Sequence, residues 1–270
     1  MEFRTIVDIP DPGFRIGPCE AMLFVGSCFA DSIGRRFQEE KFRTMVNPFG
    51  VMYNPASVFH TVERLAEQRG DTQKPSFSVV FLTLGTNHIY RLKETGEIVD
   101  NCQKRPQNLF QEEELSVEQC VDSLSQAVEV LRERRADVHV VLTVSPIRYA
   151  KYGFHGSQLS KSVLLMAADQ MTKKYASVFY FPAYEIVLDE LRDYRFYQPD
   201  MLHPSSQAVE YIWERLVETC FSERAKQFLS EWKPIKEALA HRPFHPESDT
   251  YQRFIQDVRE REEKLLSTYI

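Results

Sequence analysis

The chain has 270 residues, 43% hydrophobic and 27% charged, a balance that excludes a disordered tail, a collagen-like repeat and a disulfide-stapled miniprotein. Thirty-three Lys and Arg against 39 Asp and Glu leave a net charge of −6, so no overall attraction to nucleic acid or to an anionic membrane is expected. The longest apolar runs, 21–25 and 138–144, fall far short of the ~20 residues of a membrane helix.

In chain order, the first residues (MEFRTIVDIPDPGF) place acids and prolines where a signal peptide would be continuously apolar, which predicts a cytoplasmic protein. A compact apolar strand, 21–25, stops at Gly26-Ser27, and 29–40 then spaces Phe29, Ile33 and Phe37 as on a helix. A second strand, 41–46, closes at Asn47-Pro48-Phe49-Gly50, and Pro55 opens a helix to about Gln68. A third strand, 77–84, ends at Gly85-Thr86-Asn87. It is followed by a hairpin pattern with arms 88–92 and 97–101 around Glu94-Thr95-Gly96. Helix 116–134, strand 138–144, helix 158–174, strand 177–181 and a helix from Pro204 to about Cys220 complete the alternation. From 221 to 270 the pattern is charged and helical, broken at 242–246, without a strand. It predicts a helical extension (222–270) beside an α/β domain (1–221), packed on that domain or on a second copy of the chain.

Strands alternating with helices imply a mostly parallel sheet covered on both faces, and the ligand site of such a sheet lies beyond the carboxyl ends of its strands. Four loops there carry polar residues. Ser27 sits at a helix N-terminus, where unpaired N–H groups and the dipole favour an oxyanion. It is a candidate nucleophile, or a plain helix cap. Cys28 is the neighbouring alternative, since a helix N-terminus favours a thiolate. Asp200 and His203, in Asp200-Met201-Leu202-His203-Pro204, have the residue types that activate a hydroxyl. The imidazole takes the proton and the carboxylate holds its tautomer; the plainer reading is a local turn cap. Gly50 and Asn87 are candidate oxyanion donors, or turn residues. The five cysteines show no paired spacing, so neither a disulfide framework nor a metal site is expected, and the remaining histidines have no metal-ligand spacing. The G-x-S-x-G elbow, the P-loop and the G-x-G-x-x-G fingerprint are all missing from the sequence.

Gly26-Ser27-Cys28-Phe29-Ala30 resembles the signature of the GSCFA family. The likeness continues in order through Asn47-Pro48-Phe49-Gly50, Tyr53-Asn54-Pro55, Leu84-Gly85-Thr86, Thr143-Val144-Ser145-Pro146-Ile147-Arg148, residues 181–185, residues 189–197 and Asp200-Met201-Leu202-His203-Pro204. It covers residues 22–221 and leaves the tail outside. GSCFA proteins are similar to SGNH (GDSL-type) hydrolases. The resemblance therefore implies a flavodoxin-like three-layer α/β sandwich with a five-stranded, mostly parallel sheet, a β-hairpin insertion and the helical tail. It also implies Ser27 as nucleophile, His203 as base, Asp200 as its partner, and oxyanion donors from the Ser27 N–H, the Gly50 N–H and the Asn87 side chain. Cys28 is expected to turn away. Relatives carry residues other than Asn after Leu-Gly-Thr, which makes Asn101 the fallback donor, and tend to carry His where this chain has Gln103 and Tyr149. Arg148, Tyr149 and His155 are expected to border the substrate, Arg148 through a carboxylate or phosphate. Tyr194, Phe196 and Tyr197 offer stacking surfaces for a sugar or aryl group.

The predicted activity is hydrolysis of a small or carbohydrate-linked acyl ester through an acyl-enzyme, without metal or organic cofactor. Three alternatives stand beside it: an acyltransferase using the same residues, a ligand-binding module that has lost the chemistry, and a scaffold that binds through its tail.

Overall fold

Strands β1 (Ala21–Gly26) and β3 (Val79–Leu84) are almost wholly buried, as a strand must be when helices cover both faces of its sheet. The computed structural model describes residues 4–68, 77–102 and 105–269. Between those strands come α1 (Cys28–Glu39), β2 (Arg43–Val46) and α2 (Pro55–Gln68). After them come β4 (His88–Leu92), β5 (Ile98–Val99), β6 (Phe110–Glu114), α3 (Val117–Arg134), β7 (His139–Val144), α4 (Gly153–Lys174) and β8 (Val178–Tyr180).

The main sheet has the order β2-β1-β3-β7-β8, and every pairing in it is parallel. Renumbered along the sheet's own strands this is 2-1-3-4-5, the flavodoxin-like order, whose chain reversal between β1 and β3 opens a crevice at the carboxyl edge. The expected fold is therefore present. Successive strand residues point to opposite faces. Leu23, Val25, Val80, Leu82, Val140 and Leu142 face one core, against α2, α3 and α4. Met22, Phe24, Val79, Phe81 and Val141 face the other, against α1 and α6 (Ser206–Cys220). Helix α1 buries Phe29, Ile33 and Phe37 at helical spacing. Its Gly34 lies so close to β2 that a Cβ there would stand 2.5 Å from Val46.

Two features differ from the expectation. The hairpin gains a third strand, since β6 pairs antiparallel with β4 along its whole length, opposite the face taken by β5. Three glutamates in its five residues hid it from a propensity reading. Pro204 does not open the last core helix. Ser205 is the N-cap of α6, its side chain accepting from Ala208 N, and Pro204 lies just outside. Between β8 and that loop, the short helix α5 (Ala183–Glu185) runs into a π-helical turn, Ile186–Leu191, closed by Arg192 at φ 41°.

The tail forms α7 (Glu223–Ala240) and α8 (Asp249–Tyr269), which share a small core of Phe228, Trp232, Ile235, Val258 and Leu265. It is docked on α1. Trp232 Nε1 donates to Glu39 O at 3.0 Å, Lys236 pairs with Glu40 at 2.7 Å, and Lys41 pairs with Glu262 at 2.6 Å. No helix among the described residues is long and apolar enough to cross a membrane.

Candidate active site

Ser27 occupies the first position beyond β1, at the β1/β3 switch point. The turn is made possible by Gly26, at φ 144°. A Cβ there would meet Thr83 O at 2.1 Å, so the two strand ends touch only because glycine has no side chain. Asn47 seals the same corner. Its Oδ1 accepts from Gly26 N at 2.8 Å, and its Nδ2 donates to Asp31 Oδ1 at 2.7 Å. Ser27 is fully buried. Its N–H donates to Thr83 O and Oγ1 at 3.1 and 3.0 Å, and its Oγ lies 3.3 Å from Thr83 Oγ1. The Oγ also accepts from Phe29 N at 3.3 Å, so the residue does cap α1, as the plainer reading has it.

Asp200 and His203 are joined. His203 Nδ1 is 2.6 Å from Asp200 Oδ2, while Asp200 Oδ1 accepts the backbone N–H groups of His203 and Leu202 at 3.0 and 2.8 Å. Those two N–H groups, with the imidazole, hold the Asp200 carboxyl down at about 2. It is therefore ionised across any ordinary assay range. Among the described residues, Nε2 of His203 has no hydrogen-bond partner, and Ser27 and His203 are not hydrogen-bonded to each other. The loop bearing the pair is fastened to the end of β7, where Arg148 N donates to Leu202 O at 3.0 Å and Arg148 Nη1 to Met201 O at 2.9 Å. The loop bearing His203 is thus tied to the carboxyl end of β7, two strand spacings or ~9.6 Å across the sheet from the end of β1, with β3 between the two strands.

At the carboxyl end of β3 stands Gly85. A Cβ there would lie 2.3 Å from Tyr149 Oη and 3.4 Å from Ser27 Cβ. The Tyr149 hydroxyl is buried and has no hydrogen-bond partner among the described residues. Beneath it, Lys161 Nζ donates to Gly85 O and Ser145 O at 2.6 and 2.7 Å and lies 5.1 Å from the Tyr149 ring centroid. Burial pushes the Lys161 ammonium down to about 7.

The oxyanion donors implied by resemblance are engaged elsewhere. Asn87 Nδ2 donates to Leu115 O at 2.8 Å, with the side chain buried under the hairpin sheet. Gly50 N closes its own turn onto Asn47 O at 2.9 Å. Asn101 is exposed beyond β5, and Gln103 lies outside the described residues. Cys28 is half-buried, with its Sγ 3.9 Å from Tyr53 Oη. Burial pushes the phenols of both Tyr53 and Tyr149 up. His155 is exposed on the first turn of α4 and is joined to none of these groups.

Comparison with known families matches residues 21–78 and 70–216 to the GSCFA family, and residues 232–270 to the GSCFA domain protein C-terminal domain. The chain belongs to the GSCFA family. The match reaches the tail, which the sequence resemblance had left outside. No curated protein sequence matches the chain. Among solved structures it is similar to a Clostridium thermocellum family 3 carbohydrate esterase, at 12% identity over 82% of this chain and 99% of that one, TM-score 0.43. It is also similar to a GDSL-like lipase from Bacteroides thetaiotaomicron, at 14% identity over 74% and 86%, TM-score 0.45.

In this GSCFA protein a cavity of about 300 Å³ adjoins the His203 loop, lined by Arg148, Phe154, Lys161, Tyr184, Tyr194 and Tyr197 among others. The Arg148 guanidinium lies 4.0 Å from the Phe154 ring centroid and 5.4 Å from that of Tyr197, and among the described residues it has no carboxylate partner. In particular, it forms no ion pair with Asp189, Glu190 or Asp193. Sequence reasoning missed Thr83, which holds the Ser27 backbone, and nothing in an apolar strand pattern marks it. It also missed Lys161, for which a signal existed. The buried stripe of α4 runs Ser157, Ser160, Lys161, Leu164, Ala167, Ala168, Met171, and a lysine on that face has to be accommodated inside.

Proposed function

We propose that this GSCFA protein is a serine hydrolase of acyl esters, with Ser27 as nucleophile, His203 as general base and Asp200 as the group that orients the imidazole. The observation carrying this reading is the Asp200–His203 pair. A carboxylate held ionised by two backbone N–H groups fixes Nδ1, and Nε2 is left free at the sheet edge that carries Ser27. Ser27 Oγ attacks the ester carbonyl as its proton passes to Nε2. The tetrahedral adduct then collapses, expelling the alcohol with that proton, and water repeats the sequence to free the acid. Ser27 is fully buried, so on this reading the groups over it yield before substrate enters.

The cavity beside Arg148 supports a substrate whose non-reacting part is a small or carbohydrate-linked group. Tyr194 and Tyr197 offer ring faces, and Arg148 offers an unpaired guanidinium for a carboxylate or phosphate. These steps are written without a metal or cofactor. Turnover of p-nitrophenyl acetate tests the assignment. Ser27→Ala abolishes it in a chain that still folds, its melting temperature lowered slightly by the lost helix cap, and turnover retained in that variant contradicts the mechanism.

A further inference from the structure

A buried hydroxyl without a partner is costly unless something arrives to use it, because it has given up water and received nothing in return. Tyr149 Oη is such a group, and it lies at the point where reaction is proposed. The missing Cβ of Gly85 marks a position 2.3 Å from that oxygen and 3.4 Å from Ser27 Cβ, so phenol and nucleophile flank one spot. Meanwhile each group that the resemblance offers as an oxyanion donor already makes a hydrogen bond elsewhere. The Ser27 N–H is on Thr83, the Gly50 N–H on Asn47 O, and one N–H of the Asn87 amide on Leu115 O. An ester hydrolase without an oxyanion donor forfeits its largest electrostatic contribution to catalysis.

We infer that Tyr149 is a catalytic residue, its O–H donating to the oxyanion formed when Ser27 adds to the substrate carbonyl. This rests on the serine-hydrolase reading and adds to it a donor that the family pattern does not supply. As the bond from Ser27 Oγ to carbon forms, the carbonyl π pair moves onto oxygen, and the proton of Ser27 moves to His203 Nε2. The new negative charge takes up the hydrogen bond that Tyr149 otherwise lacks. When the carbonyl re-forms and the alcohol leaves with the proton from His203, the hydroxyl is released unchanged.

The surroundings suit the role. Burial keeps the phenol protonated, hence a donor, throughout the neutral range. Lys161 Nζ lies 5.1 Å from the ring centroid, and when it is protonated it draws electron density from the ring and strengthens the O–H as a donor. The ring is also held in place. It packs edge-on against Tyr53 and stacks with Tyr152, with centroids 6.3 and 6.1 Å away, and Tyr149 N is anchored on Ser157 Oγ at 3.2 Å. Gly85 acquires a reason as well. Any side chain there would occupy the hydroxyl's place.

The test uses an alkyl fluorophosphonate, whose reaction needs no knowledge of the natural substrate. Ser27 attacks phosphorus, fluoride leaves, and the phosphoryl oxygen sits where the oxyanion would. The labelling rate is measured by intact mass for the parent, Ser27→Ala, Tyr149→Phe and Tyr149→Ala, each with a melting curve. The expected result is labelling slowed about 10²- to 10³-fold in Tyr149→Phe, with a melting temperature equal to or above the parent's, because the variant removes an unsatisfied polar atom. A Tyr149→Phe chain labelled at the parent's rate, while Ser27→Ala is inert, overturns the donor role and leaves the serine reading standing. Faster labelling of Tyr149→Ala beside an unaffected Tyr149→Phe also overturns it, by making the ring only a cover. Slower labelling with a lowered melting temperature overturns it in favour of a structural role. A parent chain that takes no label on Ser27 removes the serine reading and this inference with it.

Discussion

Asp200 combines two duties that a D-x-x-H spacing makes compatible. One carboxylate oxygen caps the turn through the N–H groups of Leu202 and His203, and the other receives His203 Nδ1. The two readings posed by the sequence, turn cap and partner of the imidazole, are therefore compatible in one carboxylate, and Ser27 likewise caps α1 while standing at the switch point. Asp200→Asn separates the duties. The amide oxygen still accepts backbone N–H groups, so the turn persists, but the imidazole loses the anion that selects its tautomer. A fall in kcat of about 10³- to 10⁴-fold with little change in melting temperature is expected from ester-hydrolysis kinetics. A fall of less than tenfold would show that Asp200 serves the turn alone.

At the scale of elements, the alternation of apolar strand and amphipathic helix was legible, because burial on both faces leaves a continuous apolar run and one-faced burial leaves a 3.6-residue period. Of the loops singled out at strand ends, the structure joins Asp200 to His203 and sets Ser27 beside Thr83 and Gly85, while the Gly50 N–H and the Asn87 amide bond elsewhere. What stayed hidden depends on contacts between distant segments. β6 becomes a strand because β4 offers it an edge, and Asn87 turns its amide to Leu115 because that same sheet covers it. Tyr149 is recognisable only once Gly85 is beside it. The C-terminal helices form another such contact. Trp232 is buried against the end of α1 with its indole N–H on Glu39 O, although Pro234 interrupts the hydrogen-bond ladder of α7 two residues later. Trp232→Ala removes both packing and hydrogen bond, and a loss of about 3–5 kcal/mol in urea unfolding is expected. The variant should keep the parent's kcat per folded molecule, since the site lies at the strands' carboxyl edge. A loss under 1 kcal/mol would mean that the tail is only loosely docked.

For the molecule as a whole, a parallel sheet gathers side chains distant in sequence, residues 27, 85, 149 and 203, because each strand ends at the same edge and hands its loop to the same crevice. On the proposed reading, the arrangement with Ser27 buried and no hydrogen bond between it and His203 is one that substrate opens. Peptide mapping of the fluorophosphonate adduct in the parent and in His203→Ala probes that arrangement most directly. The account predicts one adduct, on the peptide containing residues 26–30 and localised to Ser27, lost when the imidazole is removed. An adduct on Cys28, or one on Ser27 that forms equally fast without His203, would contradict it.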